Sequence, residues 1–303
     1  MTPAAIVVVG SYNLDVSVAV ERLPAPGETC LGLGRLESPG GKGANQAIQA
    51  ARCGASTAMI AAVGQDAAGD EALAVWTRAG VATDHVARLA DTGTGFAVIL
   101  VDKTGENSIV VDSAANARLD PSHIEAGKAQ LAGAKLVVAQ LETPVQSTLR
   151  AFEIVRAAGG ATLLNAAPAP EAIDAPLLAL TDFLIVNELE GQALSGHANA
   201  AAIGEALLGR VGKGVVVTLG GEGAMLFQHN RPPHRQAAFK VDVVDTTGAG
   251  DAFTGAFAAR WIVDGDAVAA LAWGVAAGAL ACTGRGAAAS YADQARIAAL
   301  AAV

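Results

Sequence analysis

Short runs of apolar residues alternate along the chain with longer stretches rich in alanine. The apolar runs predict buried strands at Ile6–Val9, Ala58–Val63, Leu136–Ala139, Thr162–Leu164, Phe183–Val186 and Val215–Leu219. The alanine-rich stretches predict helices near 146–158, 199–211, 249–263 and 266–282. Strands that are apolar throughout and separated by helices are typical of a parallel sheet covered on both faces. The pattern therefore predicts an α/β fold with a mostly parallel central sheet.

Two segments interrupt this alternation. Residues 14–38 carry alternating and turn-like patterns. Residues 94–112 are typical of a hairpin, with strands at Gly95–Val101 and Asn107–Val111 around a turn at Asp102–Gly105. We interpret both as insertions that form a small β-sheet lid. Because no linker or internal repeat divides the chain, residues 1–303 are predicted to form a single domain with this lid inserted at about 14–38 and 94–112.

Composition limits the classes of partner. The 303 residues are 52% hydrophobic and 16% charged, which is enough for one large α/β core. A net charge of −9 without any basic run argues against nucleic acids and anionic membranes as partners. No apolar stretch reaches the roughly 18 residues of a membrane span, and Ile6–Val9 is too short for a signal peptide. Cys30, Cys53 and Cys282 lack metal-ligand spacing and are expected to be reduced thiols, so we expect a cytoplasmic protein.

The segment Asp245–Phe253, with sequence DTTGAGDAF, carries the clearest chemical signal. Its glycines allow successive backbone N–H groups to point into one concave turn, and the helix predicted to follow adds partial positive charge. Such a turn binds anions. Asp251 would repel a bound phosphate, so its presence indicates a base that takes a proton from an attacking hydroxyl. The alternative is a helix N-cap in a tight turn.

A second glycine-rich turn, Gly40–Ala47 with sequence GGKGANQA, precedes a predicted helix. Its glycines permit close backbone approach, and Asn45 offers a donor and an acceptor to a sugar hydroxyl. Lys42 is a candidate for contact with a transferring phosphate, the alternative being a solvated lysine in a flexible turn. The turn is not a Walker loop, because Leu36 stands where the first glycine of that motif belongs and Gly43 follows Lys42.

Polar residues and glycine follow several of the predicted strands. In parallel sheets, sites form at the carboxyl ends of strands, so these residues are expected to share one crevice. They are Asn13, Asp15, Glu142, Asn187 and Gly220. The alternatives are ordinary local roles: turn formation for Asn13 and Asp15, surface exposure for Glu142, a capped first helical turn for 187–190, and a β-turn for 218–223.

Both glycine-rich segments resemble the two signatures of the PfkB, or ribokinase-like, carbohydrate kinases. The 245–251 segment resembles the family's D-T-x-G-A-G-D motif, and Gly40–Ala47 resembles its N-terminal motif. Their order and separation fit the family over nearly the whole chain. The resemblance implies a three-layer αβα ribokinase-like fold with a small β-sheet lid, and an enzyme that transfers a phosphoryl group from ATP to a sugar alcohol.

The resemblance also implies roles for individual residues. Catalysis is expected from the base Asp251 and from the backbone of Gly248, Ala249 and Gly250. Sugar contacts are expected from Asp251 and from Asn13, Asp15, Gly41, Lys42, Gly43, Ala44, Asn45 and Glu142. The nucleotide is expected to lie along Asn187, Glu190, Thr218, Leu219, Gly220, Gly221, Glu222, Gly223, Gly250 and Asp251. A potassium ion is expected at Asp245, Thr247, Ala281, Gly284, Gly286 and Ser290.

The implied ligands are therefore ATP, Mg²⁺ and an activating K⁺. The N-x-x-E segment Asn187–Glu190 is expected to help organise the Mg²⁺. The sequence of Gly40–Ala47 resembles the form found in family members that act on ribose, which favours D-ribose, phosphorylated at O5, as the acceptor. Another small sugar, a sugar acid or a nucleoside remains an alternative, as does a non-catalytic sugar- or nucleotide-sensing protein. The lid resemblance further implies a homodimer.

Overall fold

The computed structural model describes residues 4–303. Within them the β-strands are Ile6–Val9 (β1), Asn13–Val20 (β2), Gly32–Gly40 (β3), Thr57–Gly64 (β4), Val81–Leu89 (β5), Phe96–Val101 (β6), Asn107–Asp112 (β7), Leu136–Ala139 (β8), Ala161–Asn165 (β9), Phe183–Asn187 (β10), Gly214–Thr218 (β11), Ala224–Gln228 (β12) and His234–Gln236 (β13). The α-helices are Lys42–Arg52 (α1), Ala67–Arg78 (α2), Pro121–Ala126 (α3), Lys128–Ala132 (α4), Val145–Ala157 (α5), Ala175–Ala179 (α6), Glu188–Ser195 (α7), Ala200–Leu208 (α8), Ala249–Asp264 (α9), Ala267–Ala281 (α10), Ala287–Ser290 (α11) and Gln294–Ala301 (α12).

The large sheet has nine strands in the order β13-β12-β11-β10-β9-β8-β1-β4-β5. Pairing is parallel from β11 to β5, whereas β12 and β13 add an antiparallel edge. The mostly parallel sheet predicted from the sequence is therefore confirmed.

Helices cover both faces of this sheet because side chains alternate along each strand. Ile6 and Val8 of β1 pack into one hydrophobic cluster with residues of α1, α9 and α10, including Phe257. Val7 and Val9 pack into a second cluster with residues of α5 and α8, including Phe152. The three-layer αβα architecture is thus confirmed, and its two cores lie on opposite faces of the sheet.

A smaller, four-stranded sheet has the order β3-β2-β6-β7. β6 and β7 form the predicted hairpin, with Phe96 opposite Asp112 and Val101 opposite Asn107. β2 follows β1 after only Gly10–Tyr12, and β3 leads directly into α1. This connectivity joins the small sheet to the carboxyl end of β1, where sites form in parallel sheets.

No helix within residues 4–303 is both long and apolar enough to cross a bilayer.

Candidate active site

The predicted anion turn lies at the start of α9. Gly248 precedes the helix with a positive φ of 75°, and its carbonyl oxygen accepts a hydrogen bond from Tyr291 Oη at 2.9 Å. A Cβ at Gly248 would lie 2.6 Å from both Ala287 Cβ and Tyr291 Oη. Glycine is therefore required here for conformation and for space. We call the backbone of Gly248–Gly250, with the N-terminus of α9 behind it, the anion cradle.

Asp251, in the first turn of α9, is buried with 8% of its surface exposed. Its Oδ2 accepts a hydrogen bond from Asn45 Nδ2 and its Oδ1 accepts one from Gln46 Nε2, both at 3.0 Å. Burial raises the pKa of Asp251, although Lys42 and the two amide donors act to lower it and Glu142 adds to the rise. The site thus holds a carboxyl whose pKa lies above its ordinary value, as a general base near neutral pH requires.

A cleft of about 160 Å³ opens in front of Asp251 and the anion cradle. It contains eight predicted site residues: Lys42, Asn187, Glu190, Thr218, Gly248, Ala249, Gly250 and Asp251. Asn165, Ala167, Ile185, Val186 and Thr246 complete its lining. The structure therefore brings residues of both glycine-rich segments and of two later strand ends to one place.

Most residues predicted to bind sugar lie where β1 leads into β2 and β3 into α1, whereas Glu142 follows β8. Glu142 Oε2 accepts hydrogen bonds from Ser11 Oγ and from the Lys42 N–H, the latter at 2.9 Å. Asn13 Oδ1 accepts one from Asn116 Nδ2 at 2.9 Å. Glu142 is therefore not a free surface residue: it links the end of β8 to the glycine-rich turn.

Close backbone approach is needed in this turn. Gly41 has a positive φ of 91°, and a Cβ there would lie 2.7 Å from Tyr12 Cα. A Cβ at Gly43 would lie 2.5 Å from the Ser11 nitrogen. The Gly41–Asn45 turn therefore packs directly against the segment that carries Asn13.

Asp15 lies near two other carboxyl groups, those of Glu142 and Asp251, which add to the rise of its pKa. Burial raises the pKa of Asp15 to about 7, with further contributions from Glu142 and Asp251 and an opposing one from Lys42. In the unfolded chain an aspartate titrates near 3.9. Ionised Asp15 therefore destabilises the folded protein above pH 7, and this cost is lost as the pH falls from 7 towards 4.

We expect Asp15→Asn to be more stable than the wild type by roughly 1–4 kcal/mol at pH 8, because the neutral amide avoids burying a charge. The difference should disappear near pH 4, and urea unfolding at both pH values measures it. The control is Asp84→Asn, at an exposed aspartate of β5. Its stability relative to the wild type should be the same at both pH values. An Asp15→Asn variant that is no more stable than the wild type at pH 8 would contradict this account.

Asn187 and Glu190 form a capping box at the start of α7. Glu190 N–H donates to Asn187 Oδ1, and Asn187 N–H donates to Glu190 Oε2, both at 2.8 Å. The local alternative considered for this segment is thus correct, yet both residues also line the cleft. Burial raises the pKa of Glu190 despite the Asn187 donor and nearby Lys42. The cap therefore fixes a buried carboxyl at the edge of the cleft.

The glycine-rich turn after β11 is only partly at the cleft. Thr218 lines it, and Thr218 Oγ1 donates to the Val186 carbonyl at 3.4 Å. Residues 219–223 are not among the lining residues, and Glu222 pairs at the surface with Arg235 at 2.7 Å. The predicted contact of Leu219, Gly220, Gly221, Glu222 and Gly223 with nucleotide therefore stays a prediction.

The segments predicted to hold a monovalent cation lie side by side. Asp245 Oδ1 accepts from the N–H and Oγ1 of Thr247, and its Oδ2 accepts from Gly286 N–H at 2.9 Å. Burial would raise the pKa of Asp245, but these hydrogen bonds outweigh it and lower the pKa. Ala281, Gly284 and Ser290 lie in the same 281–290 segment, which also supplies the Cys282 carbonyl to Asp245 N–H. An ionised Asp245 thus ties this segment to the start of the anion cradle.

Several residues at the site were not identified from the sequence. Asn165 is the last residue of β9, and the rule that polar residues at strand ends form sites would have identified it. Gln46 lies inside the glycine-rich segment Gly40–Ala47, but no sequence signal predicts its contact with Asp251. Tyr291 and Thr246 likewise become visible only in three dimensions.

Comparisons with known proteins agree with this geometry. Residues 3–294 match the description "pfkB family carbohydrate kinase". The ribokinase of Staphylococcus aureus is 38% identical over 261 residues, which are 84% of this chain and 85% of that protein. A deoxyribokinase of Salmonella typhi is 34% identical over 299 residues, or 94% and 95% of the two chains.

A solved structure provides the same relation in three dimensions. The Arabidopsis thaliana ribokinase complexed with ribose and ATP superposes with a TM-score of 0.90 at 32% identity, and the alignment covers 100% of both chains. The match thus extends over both glycine-rich turns and the sheet that brings them together. With its buried aspartate at a helix N-terminus, the chain belongs to the pfkB family of carbohydrate kinases.

Proposed function

We propose that this protein is an ATP-dependent kinase that phosphorylates D-ribose at O5. The observation that carries the proposal is the buried Asp251, whose two oxygens face amide donors and whose backbone continues the anion cradle. The relatives named ribokinase, and the neighbour complexed with ribose and ATP, support the substrate pair.

In the proposed reaction, Asp251 accepts the proton of the ribose 5-hydroxyl while the hydroxyl oxygen attacks the γ-phosphorus of ATP in line. The new O–P bond forms while the bond from the γ-phosphorus to the β,γ-bridging oxygen breaks, so ADP leaves with that electron pair. The N–H groups of 248–251 stabilise the charge on the equatorial phosphoryl oxygens. Ribose is held by Asn13, Asp15, the Gly41–Asn45 turn and Glu142, and ATP extends along Asn187 and the 218–223 turn.

Lys42 and the small sheet complete this proposal. Lys42 lines the cleft and lowers the pKa of Asp251, Asp15 and Glu190, so its ammonium lies among the carboxyls that would surround the phosphates. The small sheet, connected to the carboxyl end of β1, acts as the lid that excludes water and limits wasteful ATP hydrolysis.

Mg²⁺ is proposed to arrive with ATP. Among residues 4–303 no group of three or more His, Cys, Asp or Glu side chains is arranged to hold a metal. The buried Glu190, fixed by its capping box at the cleft, fits a Mg²⁺ that keeps its waters and its phosphate ligands. When bound, Mg²⁺ would neutralise charge on the β- and γ-phosphates.

The acceptor is tested by measuring ADP formation with a coupled assay. D-Ribose should give the highest kcat/KM among ribose, 2-deoxyribose, fructose, 2-keto-3-deoxygluconate and adenosine. 2-Deoxyribose belongs in this panel because one relative is a deoxyribokinase. A higher kcat/KM for another acceptor would replace ribose, and no turnover with any sugar would favour a sensing protein.

Activation by K⁺ is a further part of the proposal, supported by the contact between the Asp245–Thr247 and 281–290 segments. A monovalent cation held by their carbonyl groups would shape the start of the cradle without touching the substrate. We expect kcat to fall when KCl is replaced by tetramethylammonium chloride at equal ionic strength and to recover when K⁺ is restored. Equal rates in the two salts would refute K⁺ activation.

A homodimer through the small sheet is proposed from its exposed apolar surface. Five large aliphatic side chains of β3 and β7 are more than half exposed: Leu33, Leu36, Ile109, Val110 and Val111. Apolar surface of this kind marks association sites. Sedimentation of the wild type should give twice the 30.1 kDa chain mass. The control Val263→Glu, which places a charge on the exposed surface of α9, should give the same dimer mass. Leu36→Glu should sediment as a monomer, and an unchanged dimer would place the interface elsewhere.

A cytoplasmic location is also proposed. Cys30, Cys53 and Cys282 are free thiols in the structure, which suits a reducing compartment. The proposed co-substrate ATP is consistent with the same compartment.

A further inference from the structure

Gln46 lies beside Asp251, and the proposed reaction gives it no role. Its side chain is fully buried, and its Nε2 donates to Asp251 Oδ1 and to Asn165 Oδ1, both at 3.0 Å. Its Oε1 accepts a hydrogen bond from Gln140 Nε2 at 2.7 Å. Three buried amide side chains, those of Gln46, Gln140 and Asn165, thus form one network that ends on the carboxyl of Asp251.

The network fixes which way the Gln46 amide points. An amide can turn end over end, and its partners decide the orientation. Asn165 Nδ2 donates to the Ile185 carbonyl at 3.3 Å, which leaves Asn165 Oδ1 to accept from Gln46. Because Gln140 donates to Gln46 Oε1, the NH₂ group of Gln46 must face Asp251.

The backbone is shaped to admit this network. A Cβ at Gly10 would lie 2.3 Å from Gln140 Oε1, so glycine leaves the space that the Gln140 amide occupies. A Cβ at Gly255 would lie 2.5 Å from the Gln46 carbonyl oxygen, so glycine also allows α9 to approach α1. Gln140 Oε1 has no hydrogen-bond partner among the described residues. Leaving a buried polar atom without a hydrogen bond costs free energy. The presence of Gln140 despite its unpaired Oε1 therefore indicates that its Nε2 donor to Gln46 is needed.

We propose that Gln46 is a positioning residue for Asp251: locked by Gln140 and Asn165, it holds the carboxylate in one rotamer facing the cleft. This inference rests on the proposed kinase function. Asn45 donates to the other carboxylate oxygen, but the resemblance assigns Asn45 to the sugar. Gln46 is then the donor that stays with Asp251 when substrate binds.

Other charged groups near Asp251 also affect its pKa. Lys42 of α1 stabilises its ionised form and Glu142 after β8 opposes it. Asp251 in turn raises the pKa of Asp15 of β2, Glu190 of α7 and Tyr291 after α11. Because none of these groups changes in a Gln46 variant, a shift in the pH profile of that variant reports the lost amide donor.

The test is Gln46→Met, which keeps the length of the side chain and removes the donor. At saturating ribose and ATP we expect kcat to fall roughly 10- to 100-fold, because hydrogen bonds to charged groups contribute at this level. The acidic limb of the kcat–pH profile should move up by about one pH unit, since loss of a donor disfavours the carboxylate. The KM for ribose should change by less than about threefold, because Gln46 is not among the residues proposed to hold the sugar.

A matched control separates this role from packing. Gln49, also buried in α1, donates to the Ala292 carbonyl rather than to Asp251. Gln49→Met should lower the Tm and leave the acidic limb where the wild type has it. Gln140→Met leaves Gln46 in place but removes the hydrogen bond that fixes its amide. It should shift the acidic limb in the same direction as Gln46→Met, and it serves as the test if Gln46→Met does not fold.

The outcomes are distinct. A folded Gln46→Met or Gln140→Met with the kcat and acidic limb of the wild type overturns the positioning role. A wild-type protein that phosphorylates no sugar in the same assay overturns the proposed function instead.

Discussion

The Asp251→Asn variant is expected to turn over ribose roughly 10²–10⁴-fold more slowly than the wild type while binding ATP with nearly unchanged affinity. The amide cannot accept the proton of the attacking hydroxyl, yet it occupies the same space in the first turn of α9. Steady-state ADP formation measures kcat, and calorimetric titration with a non-hydrolysable ATP analogue measures nucleotide binding.

Folding of this variant can be checked independently. Burial disfavours the charge on Asp251, so its neutral replacement should not lower stability by much. One of the two donors, Asn45 or Gln46, must find another acceptor, because an asparagine has only one side-chain oxygen. A variant that turns over at near wild-type rate would end the assignment of Asp251 as the base.

The second large effect is expected at Gly248. Gly248→Ala introduces a Cβ 2.6 Å from Ala287 and Tyr291 in a left-handed backbone, so the residues of the anion cradle must move. We expect kcat to fall by about 10²-fold or more, the effect of losing a backbone donor to developing charge. Left-handed strain adds about 1–2 kcal/mol of lost stability, measured by urea unfolding.

The same helix offers a matched control for that strain. Gly265 ends α9 with a φ of 77°, close to the 75° of Gly248, and a Cβ there would meet nothing within 4 Å. Gly265→Ala should lose a similar 1–2 kcal/mol of stability and keep full turnover. If Gly248→Ala also kept full turnover, the cradle would have no part in the reaction.

Much of the fold was predictable from the hydrophobic pattern. Ile6–Val9 and Leu136–Ala139 were predicted with the boundaries that β1 and β8 have, and the other four predicted strands end within one residue of the observed ends. These strands are buried on both faces, so their sequences are continuously apolar. β5 escaped prediction because Asp84 and His85 interrupt its apolar pattern, as an edge strand with partly exposed residues permits.

The site was predictable where it follows from backbone rules. Anion turns at helix starts and polar residues at strand ends have local signatures, and Asn187, which lines the cleft, was singled out in this way. The sugar contacts of Asp15 and Glu142 stay predictions. The donors to Asp251 were not identified in this way, because α1 and α9 are brought together by packing of Gly255 against Gln46. Gln140, 94 positions from Gln46, has no sequence pattern that reports the contact.

The most direct test of the central claim isolates the chemical step. In a rapid-quench experiment, enzyme in excess over ATP is mixed with saturating ribose, and ribose 5-phosphate is quantified over a single turnover. We predict that Asp251→Asn forms the product at least about 10²-fold more slowly than the wild type, under conditions in which ligand binding does not limit the rate. Equal single-turnover rates would show that the proton leaves the ribose hydroxyl without Asp251 and would contradict the account.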